Sequence, residues 1–214
     1  LKIVGILTDI NKFTKTSKDG LLHKSFGIPE DYKIIGNVAA FTEFKDHKTW
    51  VNTVEELIKR GNVKAKYILV GKGELEDEIK EIVINKGLEN EIIFAGFRRD
   101  IPEILPEFDV LLFTSNAEPA GGVILEAYAC KVPVVAANAG GVPEVALHNQ
   151  TALLAKAGDY IDFANNVEAI IGSDKLKNKL TENGYQFLLE NFTKDIIAKK
   201  MFEELNEVLQ KSNK

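Results

Sequence analysis

The sequence contains a single cysteine, Cys130, so no disulfide can form within the chain. This residue lies in an apolar run, where it is expected to act as a small buried side chain in a protein of a reducing compartment. No apolar stretch approaches the roughly 18 residues of a membrane span, and the regions of a signal peptide are missing. These absences favour a cytoplasmic protein without an integral membrane segment.

Charge of one sign is not in large excess, because the formal net charge at pH 7 is -5. No overall field therefore attracts the chain to nucleic acid or to an anionic membrane, and an anionic ligand must be held locally. Histidine is also scarce: His23, His47 and His148 show no metal-ligand spacing, so no metal site is expected. The chain begins with Leu1 instead of methionine, which suggests a processed product or a fragment of a longer protein.

Short apolar runs alternate with amphipathic segments along most of the 214 residues, a length sufficient for one sizeable core. Parallel strands need crossovers, and crossovers are usually helical, so the alternation predicts a doubly wound α/β domain with a parallel sheet. Apolar side chains recur at helical spacing in 46–60 and 74–86, where we expect helices. The runs expected to form buried strands are 33–39, 66–70, 91–95, 109–113, 133–136 and 152–155.

The two ends of the chain differ from this alternating part. After residue 158 only helices are expected, and the last of them has an apolar stripe that needs a surface to pack on. These segments are 160–171, 174–191 and 193–211. At the other end, 2–7 is a candidate strand and 8–20 a polar connection. We therefore interpret 1–32 as a lead-in or linker from a preceding domain, and 33–214 as the doubly wound domain.

The segment after the predicted strand at 109–113 has the most unusual group of residues. Ligands of doubly wound sheets bind beyond the carboxyl ends of the strands, near helix N-termini. Gly121 and Gly122 admit a phosphate to the N-terminus of the next helix. Glu118 and Glu126 flank this turn, and a carboxylate accepts two hydrogen bonds from a vicinal diol. A sugar nucleotide has both features, while a loop charge and a helix-cap charge are the alternative interpretation.

The stretch EPAGGVILEAYACKVPVVAANAGGVPE resembles the donor-site signature of the group 1 glycosyl transferases, also called glycosyltransferase family 4. Two glutamates are separated by seven residues, and the second of them begins Glu-Ala-x-Ala, after which Pro-Val-Val and Gly-Gly-x-x-Glu follow. The segments NVAAFTEFKDHKTW, YILVGKGELEDEI and IIFAGFRRDIPEILPEFDVLLFTS extend the resemblance, which covers residues 34–210. It implies one Rossmann-like half of the two-domain GT-B architecture. It also implies a retaining, metal-independent enzyme with a UDP- or GDP-linked sugar donor and no cofactor.

The same resemblance implies roles for individual residues. Glu126 matches the glutamate that binds the ribose hydroxyls, and Glu118 matches the catalytic-site glutamate beside the donor sugar. Lys45 matches the lysine that neutralises the diphosphate leaving group, although by itself it would be interpreted as a surface charge before a helix. Contacts with the diphosphate or the base are implied for a further set, namely Gly121, Gly122, Val123, Phe97 and Arg98.

Three positions depart from the family pattern. Ala40 or Phe41 stands where many members have an arginine that pairs with the lysine on the phosphates, so one cation is missing unless Arg98 compensates. Ala120 stands where a bulkier apolar residue is usual, and Lys131 where glycine is frequent. Neither of these two changes removes a charged contact.

Other residues have weaker signals. Gly71 and Gly73 follow a predicted strand but lack the rest of a dinucleotide fingerprint, so a tight turn is expected. Arg99 is interpreted as a solvated charge. The Gly-Gly pair at 140–141 and Glu144 are interpreted mainly as a strand-to-helix turn with its N-terminal charge.

The resemblance is limited to the C-terminal half of a GT-B enzyme. An N-terminal domain that binds the acceptor is therefore expected as a partner, and this half alone should bind nucleotide but transfer sugar poorly. Many relatives build surface polysaccharide at the cytoplasmic face of the membrane. One alternative is a nucleotide or sugar-phosphate binding module without transferase activity, which the missing arginine favours. Another is a GT-B relative with different chemistry, such as an epimerase or a phosphorylase.

Overall fold

The computed structural model of the protein describes residues 9–118 and 121–212. Its sheet has six parallel strands in the order β3-β2-β1-β4-β5-β6. The strands are β1 (Lys33–Val38), β2 (Ala65–Val70), β3 (Ile92–Gly96), β4 (Val110–Phe113), β5 (Val134–Ala137) and β6 (Leu153–Ala155). Each begins and ends within one residue of a predicted run, and the doubly wound α/β fold is confirmed. The candidate strand at 2–7 lies outside the described residues.

The helices cover both faces of this sheet. They are α1 (Leu21–Phe26), α2 (His47–Arg60), α3 (Glu76–Asn85), α4 (Ile101–Ile104), α5 (Gly122–Ala129), α6 (Val142–Val145), α7 (Tyr160–Ile171), α8 (Asp174–Asn191) and α9 (Lys194–Ser212). Short 3-10 helices occur at Ile10–Lys12, Glu43–Lys45 and Leu105–Glu107. Side-chain caps start several of the α-helices, as where the Asp46 carboxylate accepts a hydrogen bond from the N–H of Thr49 at 3.1 Å.

Alternate residues of each strand contribute to two cores, one on each face of the sheet. Ile34, Leu111 and Val134 pack with α5 and with the C-terminal helices on one face. On the other face, the next residues along the same strands, such as Ile35 and Leu112, pack with α2, α3 and α7. Because both faces are buried, the strands are nearly continuous apolar runs, which is why the sequence predicts their ends so closely.

The segment before β1 also joins the first of these cores. The side chains of Phe13, Leu22 and Ile28 are buried there, and α1 lies within 1–32, the stretch that the sequence predicts to be a lead-in or linker. The domain boundary at residue 32 stays a prediction.

The last helix is only partly covered. Ile197 is buried, whereas Met201, Phe202 and Leu205 of the predicted apolar stripe are exposed.

Candidate functional site

The carboxyl ends of β1 and β4 lie side by side in the middle of the sheet. The chain winds outward from β1 towards β2 on one side and from β4 towards β5 on the other, so a topological switch point lies between them. The loops after these strands are joined by hydrogen bonds: the N–H of Asn116 donates to the carbonyl of Phe44 at 2.9 Å. The Thr114 hydroxyl donates to the carbonyls of Lys45 and Asp46, both at 3.1 Å. The tertiary structure thus brings 39–46 next to 114–118.

Lys45 and Glu118 form an ion pair between these two loops, although 73 residues separate them in the sequence. The side chains are 23% and 13% exposed, so both charges are partly shielded from water. The Lys45 ammonium also lies 5.5 Å from the centroid of the Phe113 ring, a favourable position for a cation. A positive and a negative group are therefore held together at the carboxyl edge of the sheet.

Glu126 lies on α5, about one turn after the start of the helix, and its side chain is partly buried. Burial raises the pKa of this carboxyl to about 7, because the ionised form loses solvation. The residue lines a cleft of about 520 Å³ together with Val38, Val123, Lys12 and Arg99. A carboxyl group with a perturbed pKa in a cleft is typical of a functional site.

The raised pKa of Glu126 predicts a stability effect that needs no ligand. The folded protein binds this proton more tightly than the unfolded chain, so the contribution of Glu126 to stability falls as pH rises from about 4.5 to about 7. Glutamine stays neutral throughout. We expect Glu126→Gln to stabilise the protein by about 2 kcal/mol at pH 8, a figure reduced for partial exposure, and by much less near pH 5. Urea unfolding at the two pH values measures this difference, and an equal effect at both would contradict it.

The N-terminus of α5 lies at the same edge. Gly121 precedes the helix with φ of 62°, in the left-handed region, and no side-chain cap occupies the first turn within the described residues. The backbone of Gly121, Gly122 and Val123 therefore begins a helix whose N–H groups and dipole suit an anion. Ala120, one of the departures from the family pattern, lies outside the described residues.

The two arginines after β3 have different surroundings. The Arg98 guanidinium donates from Nε to Asp100 at 2.8 Å, and this ion pair holds the pKa of the Asp100 carboxyl below its usual value. Arg99, interpreted from the sequence as a solvated charge, is exposed but lines the cleft of Glu126. Phe97 is 62% exposed on the same loop. Only the folded chain distinguishes the two arginines, since they are adjacent in sequence.

Two other departures from the family pattern also have defined positions. Ala40 is exposed in the loop after β1 and brings no charge to it. Lys131 follows α5 with φ of 55°, a left-handed conformation that glycine adopts without strain, and its ammonium contacts Glu182 of α8 at 2.8 Å. This lysine therefore affects the end of α5 that is remote from Glu118.

The loop after β5 also belongs to the site, through a contact that the sequence does not predict. The N–H of Gly141 donates to the carbonyl of Glu118 at 2.7 Å. A Gly-Gly pair after a strand was the only sequence signal, and it does not indicate which loop the pair contacts.

Two of the histidines, His47 and His148, make contacts that stabilise the fold. His47 is buried and stacks on Phe41 with ring centroids 4.3 Å apart. Burial and then the charge of Lys45 lower the pKa of His47 to about 4. His148 Nδ1 accepts a hydrogen bond from the N–H of Leu154 at 2.9 Å.

Two kinds of feature are not found in the part of the chain that the structure describes. Nowhere in 9–118 and 121–212 do three or more His, Cys, Asp or Glu side chains form a group able to hold a metal ion. Across the same ranges, no helix combines the length and the apolar character that crossing a membrane requires.

Comparison with known sequences identifies a family match. The family model described as "Glycosyl transferases group 1" matches residues 19–187. N-acetyl-alpha-D-glucosaminyl L-malate synthase of Bacillus anthracis is 30% identical over 177 residues, a match that covers 83% of this chain and 46% of the synthase. The matched residues include Lys45, Glu118 and Glu126.

Comparison with solved structures identifies proteins of similar fold. Anabaena HepE in complex with UDP and glucose has a TM-score of 0.83 and 28% identity, covering 94% of this chain and 55% of HepE. The C-terminal domain of a glycosyl transferase group 1 family protein (LpcC) from Francisella tularensis has a TM-score of 0.76 at 24% identity. That match covers 87% of this chain and 99% of the Francisella domain. The chain thus spans about half the length of the synthase and of HepE.

Proposed function

The chain belongs to the group 1 glycosyl transferases, and we propose that it is the part of such an enzyme that binds a nucleotide-sugar donor. The observation that carries the proposal is the presence of three ionisable side chains at the carboxyl edge of the sheet. Lys45 and Glu118 are paired there, and Glu126 lines a cleft at the same edge. This arrangement offers separate contacts for the diphosphate, the sugar and the ribose.

The nucleoside is proposed to bind in the cleft beside Glu126. An ionised carboxylate accepts a hydrogen bond from each of the two ribose hydroxyls, and this contact offsets the loss of solvation that raises its pKa. Val38 and Val123 add apolar walls, and the loop of Phe97 and Arg99 borders the base. HepE, whose fold and sequence are similar, binds UDP and UDP-glucose, which supports a UDP-linked donor.

The diphosphate is proposed to lie between Lys45 and the N-terminus of α5. Backbone amides of Gly121, Gly122 and Val123 would donate to phosphate oxygens, where the helix dipole favours negative charge. The Lys45 ammonium stabilises the charge that grows on the diphosphate as the bond to the sugar breaks. Lysine and helix amides then replace a divalent cation, so we propose binding that is independent of metal.

Glu118 is proposed to face the sugar at the reacting end of the donor. Its carboxylate accepts hydrogen bonds from sugar hydroxyls and balances positive charge that develops on the ring. We propose that transfer retains the configuration of the bond that breaks, as the family resemblance implies. In the free protein Lys45 is bound by Glu118; a donor phosphate would compete for the same ammonium.

A second domain is proposed to bind the acceptor. Because the chain spans about half of its relatives, sugar transfer by this half alone should be weak or absent. The exposed side chains Met201, Phe202 and Leu205 of α9 offer an apolar surface for that domain. A surface polysaccharide as product and a cytoplasmic location stay predictions from the resemblance.

One observation favours a second candidate, a nucleotide-binding module without transferase activity. Ala40 brings no cation to the loop after β1, and the Arg98 guanidinium is bound to Asp100 instead of compensating. Release of UDP from UDP-glucose by the complete protein would exclude this candidate, whereas tight binding without release would favour it.

Calorimetric titration of the chain with UDP, GDP and ADP, each with magnesium and with EDTA, tests the donor site. We expect one of the three bases to be bound clearly more tightly than the others, with the same affinity in both buffers. A magnesium requirement would contradict the proposed metal independence, and no binding of any nucleotide would contradict the donor site.

A further inference from the structure

The loop after β5 contacts the backbone of Glu118 at two points. The first is the hydrogen bond from the N–H of Gly141 to the Glu118 carbonyl, 2.7 Å long. The second is the close approach of Gly140, where an added Cβ would lie 2.4 Å from the Glu118 carbonyl oxygen and 3.0 Å from its nitrogen. Gly140 also has φ of 56°, in the left-handed region. Both contacts are made to backbone atoms, which have little freedom to move aside.

With these contacts, Glu118 and the residues before it are held by the loops on both sides, those after β1 and β5. On the β1 side, Asn116 donates to the carbonyl of Phe44, and the ion pair joins Glu118 to Lys45. On the β5 side, only a glycine allows the turn to come this close. Since β1 and β5 are the two neighbours of β4 in the sheet, the loop that carries Glu118 is held between them.

The supporting loop is itself firmly placed. The N–H of Asn138 donates to the carbonyl of Ala155 at 2.7 Å, which joins the loop to the end of β6. Beyond the glycines, α6 buries Val142 and Val145 in the core. A change at Gly140 would therefore displace Glu118 more readily than the loop after β5.

We propose that Gly140 and Gly141 are positioning residues that set the Glu118 carboxylate opposite Lys45. They act through Glu118 and do not touch the donor. The positioning itself follows from the contacts above, and its effect on sugar recognition rests on the proposed donor site. With Glu118 displaced, the protein should lose its contact with the donor sugar and keep its contacts with the nucleotide.

Comparison of Gly140 with Gly158 separates the positioning of Glu118 from the effect of backbone strain. Gly158 has φ of 78°, also left-handed, but nothing lies within 4 Å of an added Cβ there. Gly158→Ala therefore shares the backbone strain of Gly140→Ala without the contact with Glu118. Gly140→Asn is a second variant with less backbone strain than Gly140→Ala, since asparagine adopts the left-handed region more readily but still adds a Cβ.

The binding test compares UDP-glucose with UDP for each variant by calorimetry. We expect Gly140→Ala, Gly140→Asn and Glu118→Gln each to bind UDP-glucose about tenfold more weakly, because each loses a charge-assisted hydrogen bond. Their affinity for UDP should stay within about threefold of the wild type. Gly158→Ala should match the wild type with both ligands. Equal losses for UDP and UDP-glucose, or none, would overturn the role in sugar recognition.

A second measurement tests the positioning without any ligand. Reductive methylation with ¹³C-formaldehyde labels lysine amines, and Lys45→Arg identifies the Lys45 signal in the NMR spectrum. The Lys45 signal should move in both Gly140 variants in the direction seen for Glu118→Gln, and stay in place in Gly158→Ala. An unmoved signal in folded Gly140 variants would overturn the proposal. If the wild type binds neither ligand while the signal moves, the donor site fails and the positioning role stands.

Discussion

Lys45→Met is expected to slow the release of UDP from UDP-glucose by the complete protein about 100- to 1,000-fold. The diphosphate gains negative charge as its bond to the sugar breaks, and Lys45 is the cation that is paired with Glu118 at this edge. A contact that strengthens in the transition state acts on the rate more than on binding. UDP release at saturating donor measures the effect, and donor affinity should fall much less.

Two further variants make the result for Lys45 interpretable. Lys59→Met removes an exposed lysine near the other end of α2 and should leave the rate unchanged. Because Lys45→Met leaves the partly buried Glu118 carboxylate without its partner, the double variant Lys45→Met/Glu118→Gln shows whether lost stability explains the loss. A rate within about threefold of the wild type in folded Lys45→Met would contradict the assigned role.

Glu126→Ala is expected to weaken nucleotide binding about 100-fold. Two charge-assisted hydrogen bonds to the ribose are lost, together worth about 3 kcal/mol. Calorimetric titration with the preferred nucleotide measures this loss. Glu81→Ala, at an exposed position on α3, is the matched control and should bind as the wild type does. Unchanged affinity in Glu126→Ala would remove the ribose assignment.

The same carboxyl should make donor binding dependent on pH. Its pKa is raised to about 7 in the free protein, and a proton on the carboxyl removes one of the two acceptors. Affinity for UDP-glucose should therefore fall about tenfold between pH 8 and pH 6. Glu126→Gln should bind weakly at both values, with no such dependence. A wild-type affinity that is the same at both pH values would contradict ionised Glu126 as the ribose acceptor.

The strands and long helices were predictable because their burial is visible in local composition. A strand covered on both faces must be apolar along its length, so the run at 110–113 indicates β4 without knowledge of its neighbours. The short helix α1 was missed because only Leu22 among its six residues is fully buried. A single buried position cannot establish a helical period.

The candidate site also has a part that the sequence predicts and a part that only the fold shows. Glu118 and Glu126 belong to one contiguous signature, so the sequence alone predicts them as candidate site residues. Their relation to other loops was not visible there: Arg99, not Arg98, lines the cleft of Glu126, and Gly141 supports Glu118. Those relations depend on the direction of each side chain and on the turn that carries it.

The sequence by itself determined the α/β fold and the family and gave the two glutamates as candidates, because each is encoded in residues that are close together along the chain. The tertiary structure decided the pairing of Lys45 with Glu118, the raised pKa of Glu126 and the approach of Gly140 to Glu118. All three depend on the strand order, which puts β4 between β1 and β5. Neighbouring strands bring together loops that are far apart in sequence. Burial at that edge of the sheet then shifts the pKa of the ionisable side chains.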